Sequence, residues 1–251
     1  MSYLPGKFVW FEHVSGDPAR AQAFYAGLLG WKVHSMEMGG GVSYDIVLNG
    51  ETGIGGYRVA DEGTPTYWAS YLSVDDVDAR YAAALAAGAT PLAAPRDFGG
   101  AGRGAVLLDP TGAAFSLWRG ADGDPAEAEK SAVGAWDWNE LHTQDAAKAL
   151  AFYESVFGYS HDSMDMGPMG TYYLLKDATG KQRAGLMQAA RPGMPSNWLP
   201  YLRVADCDAT AAKATELGAT VAQPPTDIPG VGRFSVLIDP LGAAVAVLKP
   251  V

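Results

Sequence analysis

Trp10 to Trp31 reads WFEHVSGDPARAQAFYAGLLGW, and Trp138 to Tyr159 reads WNELHTQDAAKALAFYESVFGY. With Phe24-Tyr25 set on Phe152-Tyr153, an offset of 128, Trp10 falls on Trp138, Glu12 on Glu140, Asp17 on Asp145 and Gly30 on Gly158. The likeness continues at an offset of 130, where Asp97 to Arg103 matches Asp227 to Arg233 and LDPTGAA from Leu108 matches IDPLGAA from Ile238. Self-similarity over this length marks two copies of one domain. Any role assigned in one copy can therefore be checked in the other.

Each copy opens on the same local plan. Phe8 to Ser15 alternates and is rich in aromatics, which predicts a strand. Asp17 then stands as a helix N-cap with Pro18 in the first turn, Ala21, Phe24, Tyr25 and Leu28 give helical spacing, and Gly30 ends the helix. Strand-like runs follow at Lys32–Met36, Ser43–Leu48 and Gly53–Val59, separated by a Gly39-Gly40-Gly41 turn and by Asn49-Gly50. The order β-α-β-β-β then recurs. Tyr67–Val74 reads as a strand, and Asp76–Ala87 as a helix with Val77, Tyr81 and Leu85 on one face. Strands at Thr90–Leu92, Gly102–Leu108 and Ala113–Trp118 complete the module. Arg119 to Gly134 has no apolar periodicity and predicts an exposed linker. The expected boundaries are a first domain at 1–119, a linker at 120–134 and a second domain at 135–251, four β-α-β-β-β modules in all.

Composition narrows the class. The 251 residues suffice for two domains of roughly 100–200 residues each, and 48% of them are hydrophobic, enough for packed cores. A net charge of −10 with no basic stripe argues against nucleic-acid partners. The single cysteine, Cys207, forbids an intrachain disulfide and is expected as a small buried thiol on the helix after Asp206. The N-terminus lacks the pattern of a signal peptide, and no apolar run approaches the ~20 residues of a membrane span, so a soluble, cytoplasmic protein is expected.

The strand–Asp–x₆–Phe-Tyr–x₄–Gly-Trp/Tyr unit and the late Asp-Pro-x-Gly turns, Asp109–Gly112 and Asp239–Gly242, resemble the vicinal oxygen chelate superfamily. This family includes glyoxalase I, bleomycin- and fosfomycin-resistance proteins and extradiol dioxygenases. The resemblance covers nearly the whole chain outside the linker. It implies an α+β fold in which paired modules form a curved sheet closing on a cup, with metal or ligand inside. It also implies a pseudo-two-fold packing of the two halves within a monomer, or a homodimer.

The resemblance further implies three positions per copy for His, Glu or Gln ligands of a divalent metal. They fall here on Trp10 and Trp138, on Ala69 and Leu199 within a residue or two, and on Ser116 and Ala246. None of these is a strong metal donor. A slip of one residue gives Phe11 or Asn139, and Phe115 or Leu117, which is no better. No metal or other cofactor is therefore expected, nor the metal-assisted chemistry that depends on one.

Alternation puts Glu12 and Val14 on the face of Trp10, and Glu140 and His142 on the face of Trp138. Ser116 and Trp118 follow on the late strand, with Tyr71 matching Tyr201 and Ser73 matching Arg203. The implied lining is aromatic with a few polar groups, which suits a flat, partly apolar organic ligand. Trp10, Trp138, Tyr71, Tyr201, Ser116, Trp118 and Arg203 are the candidate binding residues. Met38 and Met166 join them from the duplicated Met-acid-Met segments, which alternatively only pack a hairpin. A carboxylate on an apolar strand is costly to bury alone. Glu12 and Glu140 therefore either pair structurally with an arginine such as Arg203 or face ligand as acceptor or general base. His142 adds a candidate acid–base couple in one copy only. His13 is expected on the opposite face under the helix, His34 and His161 without partners, and the glycines of GIGG at Gly53–Gly56 where backbone or ligand comes close. Three readings remain: a metal-independent binder of an aromatic or polyketide-like molecule for sequestration, resistance or escort; a glyoxalase-related lyase, isomerase or tailoring enzyme that uses Glu12 or Glu140 as base or a divalent metal bound by other ligands; and an interaction module.

Overall fold

A computed structural model of the chain describes residues 2–38 and 43–251, so the expected Gly39-Gly40-Gly41 turn lies outside the described residues. The first module comprises β1 (Phe8–Ser15), α1 (Pro18–Leu29), β2 (Lys32–Glu37), β3 (Ser43–Asn49) and β4 (Thr52–Val59). The second comprises β5 (Tyr67–Ser73), α2 (Val77–Ala86), β6 (Thr90–Asp97), β7 (Gly102–Leu108) and β8 (Ala114–Gly120). The third comprises β9 (Trp136–Thr143), α3 (Ala146–Phe157), β10 (Ser160–Asp165), β11 (Thr171–Lys176) and β12 (Gln182–Gln188), and the fourth β13 (Asn197–Arg203), α4 (Cys207–Glu216), β14 (Thr220–Ile228), β15 (Gly232–Ile238) and β16 (Ala244–Pro250). The strands order as β2-β3-β4-β1-β5-β8-β7-β6 and β10-β11-β12-β9-β13-β16-β15-β14, two eight-stranded mixed sheets of an α+β fold. No helix among the described residues is long and apolar enough to cross a membrane.

Local chemistry starts and stops the helices where the sequence reading places it. The carboxylates of Asp17, Asp76, Asp145 and Asp206 accept from the N–H groups of Arg20, Ala79, Lys148 and Ala209 at 2.9–3.1 Å. Each such cap stabilises its helix by about 1 kcal/mol. Gly30 and Gly158 end α1 and α3 in the left-handed region, at φ 72° and 69°. Two details differ from expectation. On α2 the buried positions are Val77 and Ala84, and Leu85 is exposed. The edge strand β6 runs five residues further than expected, through Pro95, and pairs with β7 through register shifts. An edge strand has one side free of ladder bonds, so the missing proline N–H is tolerated there.

The chain forms two compact units that cut across the sequence halves. One comprises Met1–Val9, Ser70–Glu127 and Trp138–Trp198, and the other Trp10–Ala69, Ala128–Asp137 and Leu199–Val251. In each, the Phe-Tyr helix of one sequence half meets the Asp-Pro turn of the other. In the unit containing Trp10, Trp68 Nε1 donates to the Tyr25 hydroxyl (2.8 Å), which donates to Asp239 Oδ2 (3.1 Å). Asp239 Oδ1 accepts from the N–H groups of Leu241 and Ala243. In the unit containing Trp138, Trp198 Nε1 donates to Tyr153 (2.9 Å) and Tyr153 to Asp109 Oδ2 (3.0 Å), while Thr111 and Ala113 N–H groups hold Oδ1. Burial pushes both tyrosine hydroxyls far above their ordinary range, so they stay protonated as donors. The two signature motifs are thus a single hydrogen-bonded core element made twice.

His13, wholly buried under α1 as expected, adds its Nε2 at 2.7 Å from Asp239 Oδ2. Cys207 is buried on α4, and burial pushes its thiol up to about 11. The segment expected as an exposed linker is largely exposed and is tied down by side-chain bonds. Asp124 accepts from Leu4 N–H (2.6 Å) and the Ser73 hydroxyl (2.5 Å). Glu127 accepts from Lys181 and Arg183, both at 2.5 Å. Burial alone would raise the Glu127 carboxyl, but those bonds and the charges of Lys7 and Arg183 outweigh it and hold the group at about 2. In the other unit Trp31 Nε1 donates to the Gly134 carbonyl (2.8 Å).

Candidate functional site

Two polar clusters lie on otherwise apolar strands, one in each compact unit. In the first, Glu12 on β1 is only 4% exposed. The Tyr44 hydroxyl on β3 donates to Glu12 Oε1 (2.9 Å), Arg58 Nε on β4 donates to Oε2 (2.8 Å), and Trp10 Nε1 donates to Tyr44 Oη (3.0 Å). Arg58 also bonds the side chain of Tyr67. In the second, Glu140 on β9 is 7% exposed. Trp138 Nε1 donates to Tyr172 Oη (2.9 Å), and Tyr172 in turn bonds Glu140. Burial first, and then the neighbouring glutamate, push the Tyr44 and Tyr172 hydroxyls well above their ordinary range. Each tyrosine is therefore a fixed donor to its carboxylate.

Glycine makes these clusters possible. Gly56 pairs with Glu12, and Gly185 with Glu140. A Cβ at Gly56 would overlap the Tyr44 hydroxyl, and one at Gly185 would overlap the Tyr172 hydroxyl and come within 3.0 Å of Trp138 Nε1. The glycines of GIGG thus admit two kinds of neighbour: the Phe11 carbonyl at Gly55, and the tyrosine that reaches the carboxylate at Gly56.

The basic partner differs between clusters. Beside Glu12, the cross-strand pair is Val14 and Arg58; beside Glu140, it is His142 and Met187. His142 Nε2 lies 2.7 Å from Glu140 Oε1, buried and off the line of a full hydrogen bond. Arg203 is not the arginine that Glu12 uses: its Nε faces Asp137 at 3.3 Å. Arg58 escaped the sequence reading because its counterpart, Met187, carries no charge. His161, expected alone, has Nδ1 2.7 Å from Glu154.

The remaining candidates fall into separate groups. In the Trp138 unit, Tyr71 meets Trp118 edge-on (6.1 Å), Phe98 meets Trp118 (5.7 Å), and the Arg96 guanidinium lies over Phe98 (4.7 Å). Ser116 is buried in register with Tyr71. In the Trp10 unit, Tyr201 meets Phe234 at 6.4 Å. Met38 and Met166 are half-buried just beyond β2 and β10, and it is Met36 and Met164 that pair in register with Tyr44 and Tyr172.

The family's usual metal does not fit these residues. The indole nitrogens of Trp10 and Trp138 carry a hydrogen, have no lone pair to give, and already donate to tyrosines. Ala69, Leu199 and Ala246 have no donor atom, and the Ser116 hydroxyl is buried. Among the described residues, no group of three or more His, Cys, Asp or Glu is placed to share an ion.

A family model described as a glyoxalase-like domain matches the chain twice, at residues 10–118 and 138–248. The protein CFP32 of Mycobacterium tuberculosis, named as a candidate glyoxylase, is 40% identical over 99% of this chain and 96% of its own. The anthracycline biosynthesis protein DnrV of Streptomyces peucetius is 33% identical over 98% of this chain and 94% of its own. Among solved structures, the Mn(II)-bound glyoxalase of Novosphingobium aromaticivorans matches with a TM-score of 0.65 at 19% identity, over 98% of this chain and 82% of that one. Homoprotocatechuate 2,3-dioxygenase of Arthrobacter globiformis matches with a TM-score of 0.66 at 16% identity, over 99% and 82%.

Proposed function

We propose, for a chain that belongs to the glyoxalase-like domain family, metal-independent binding of a flat, partly apolar small molecule of aromatic or polyketide-like chemistry, for sequestration or escort. The observation that carries this reading is a tryptophan bonded, in both copies, through a tyrosine to a buried glutamate, at the position where the family resemblance would put a metal ligand. Such a cluster offers an aromatic face and a fixed polar edge and needs no ion to hold its charge. Trp10 and Trp138 would stack on the ligand, and the Tyr–Glu pairs would set its orientation through hydrogen bonds. The name of the Streptomyces relative supports an anthracycline as the first probe.

The test begins with metal content. The purified chain, incubated with Zn²⁺, Ni²⁺, Mn²⁺ and Fe²⁺ and freed of excess, is expected to retain far less than one ion per domain by mass spectrometry. An anthracycline is expected to quench tryptophan fluorescence and to be recovered unchanged. About one tightly held ion per domain, or no quenching, would sink the reading.

A second reading, a glyoxalase-related lyase, isomerase or tailoring enzyme with Glu12 or Glu140 as base, is favoured in one cluster by His142.

A further inference from the structure

We propose that Glu140 and His142 form a proton-accepting dyad, one per chain, which makes the Trp138 cluster reactive toward ligands bearing an acidic C–H or O–H and leaves the Trp10 cluster to bind only. The proposal rests on the binding reading above and adds chemistry to one of its two clusters. Three features of the geometry carry it. Glu140 is buried, and its Oε1 is 2.7 Å from His142 Nε2. The His142 side chain is 22% exposed although its Nε2 is buried, so the exposed part of the ring lies away from the atom beside Glu140. Trp138 and Tyr172 lie in the same cluster, so an aromatic face stands beside the base.

An imidazole with one nitrogen beside a buried carboxylate and the rest of its ring part-exposed has the arrangement general-base catalysis requires. Neutral Nδ1 takes the proton, and Glu140 stabilises the imidazolium through Nε2–H. The imperfect line between Nε2 and Oε1 is usual for such pairs before a ligand tightens them. The Trp10 cluster cannot do this. Val14 stands where His142 does, and the cation on Glu12 is an arginine, which does not give up its proton near neutral pH. The substrate class is an aromatic or conjugated carbonyl compound with an acidic proton, such as a phenol or a 1,3-dicarbonyl.

The probe is 5-nitrobenzisoxazole, a flat aromatic that needs only a base. The base takes the C3 proton, the C–H electron pair becomes the second π bond of a nitrile, and the N–O bond breaks with its pair on the phenolate oxygen of coloured 2-cyano-4-nitrophenolate. The wild-type chain is expected to accelerate ring opening about 10²-fold or more over imidazole at equal concentration. His142→Val, which installs the residue of the other copy, is expected to remove that acceleration. Glu140→Gln is expected to lower kcat at least 10-fold with KM unchanged, as a positioning residue should. His161→Ala, on an exposed pair, keeps the wild-type rate. Tryptophan quenching by the probe is followed in every variant. Quenching retained with turnover lost supports the dyad. A wild-type chain that quenches but does not turn over, or a folded His142→Val chain that still does, overturns the dyad and leaves the binding reading standing. No quenching in any chain defeats the binding reading itself.

Discussion

The clusters around Glu12 and Glu140 share their tryptophan, tyrosine and glycine but have exchanged their basic side chain across a strand pair. In one, the basic group sits on β4 as Arg58 with Val14 opposite; in the other it sits on β9 as His142 with Met187 opposite. A similar exchange separates the late strands. Trp118 on β8 faces Gly104, whereas Leu248 on β16 faces Phe234 on β15. A Cβ at Gly104 would come within 3.0 Å of the Trp118 ring, so glycine there is the condition for the large ring on its neighbour. A third difference lies in the core, where His13 meets Asp239 in one unit and Leu141 stands at the matching position in the other. The copies have conserved a frame and a buried carboxylate while changing which strand supplies charge and bulk. A permanent cation fixes the state of a carboxylate; an imidazole lets it take part in proton exchange.

The largest effects should come from the shared frame. Gly185→Ala and Gly56→Ala each force a Cβ against a tyrosine hydroxyl bonded to glutamate, and each is expected to cost about 3 kcal/mol in urea unfolding. Similar losses would confirm that both copies use the glycine alike; a loss in only one would break the equivalence. Arg58→Met removes the cation of a carboxylate that is 6% exposed at its side chain and should cost about 2 kcal/mol. The arginine is 39% exposed, so solvent moderates the effect. Adding Val14→His reproduces the other copy, and the double variant should recover about half of the loss and gain nitrobenzisoxazole turnover. A double variant no more stable than Arg58→Met would show that the exchange depends on more than these two positions.

The smallest effect is in the core. His13→Leu copies the other unit and should cost about 1 kcal/mol near neutral pH. Burial alone would raise the Asp239 carboxyl, but His13 and the turn N–H groups hold it below its usual value. A depressed folded pKa gives stability that is present above the unfolded carboxyl value of about 3.9 and lost as pH falls through the folded value. The gap between wild type and His13→Leu should therefore close on acidification below about 4. A gap constant down to pH 2, measured by chemical unfolding, would remove His13 from the account.

The frame was legible in the sequence because its signals are local and written twice. Asp17 and Asp145 cap as expected, Gly30 and Gly158 terminate, and the Asp-Pro turns fall where the repeat puts them. The carboxylates were also legible, since an acid on an apolar strand needs a partner. Their partners were not. Arg58 and Tyr44 come from β4 and β3, and no spacing rule joins them to Glu12. Tyr44 and Tyr172 did recur, and so did Gly56 and Gly185, yet only the register shows that each glycine vacates the space its tyrosine crosses. The meeting of Tyr25 with Asp239 and of Tyr153 with Asp109 was equally hidden, because it joins one sequence half to the other.

That last pairing bears on how the chain is made. Tyr25 and His13 find their carboxylate more than 200 residues further on. On the ribosome, the segment Trp10–Ala69 emerges well before Leu199–Val251, with which it belongs. The segments Ser70–Glu127 and Trp138–Trp198, which belong together, complete their partnership first. The order of birth is therefore inside out, with an earlier segment waiting on a later one across a pair that is already complete. Contacts so distant in sequence close slowly, and the waiting segment keeps apolar surface uncovered in the meantime.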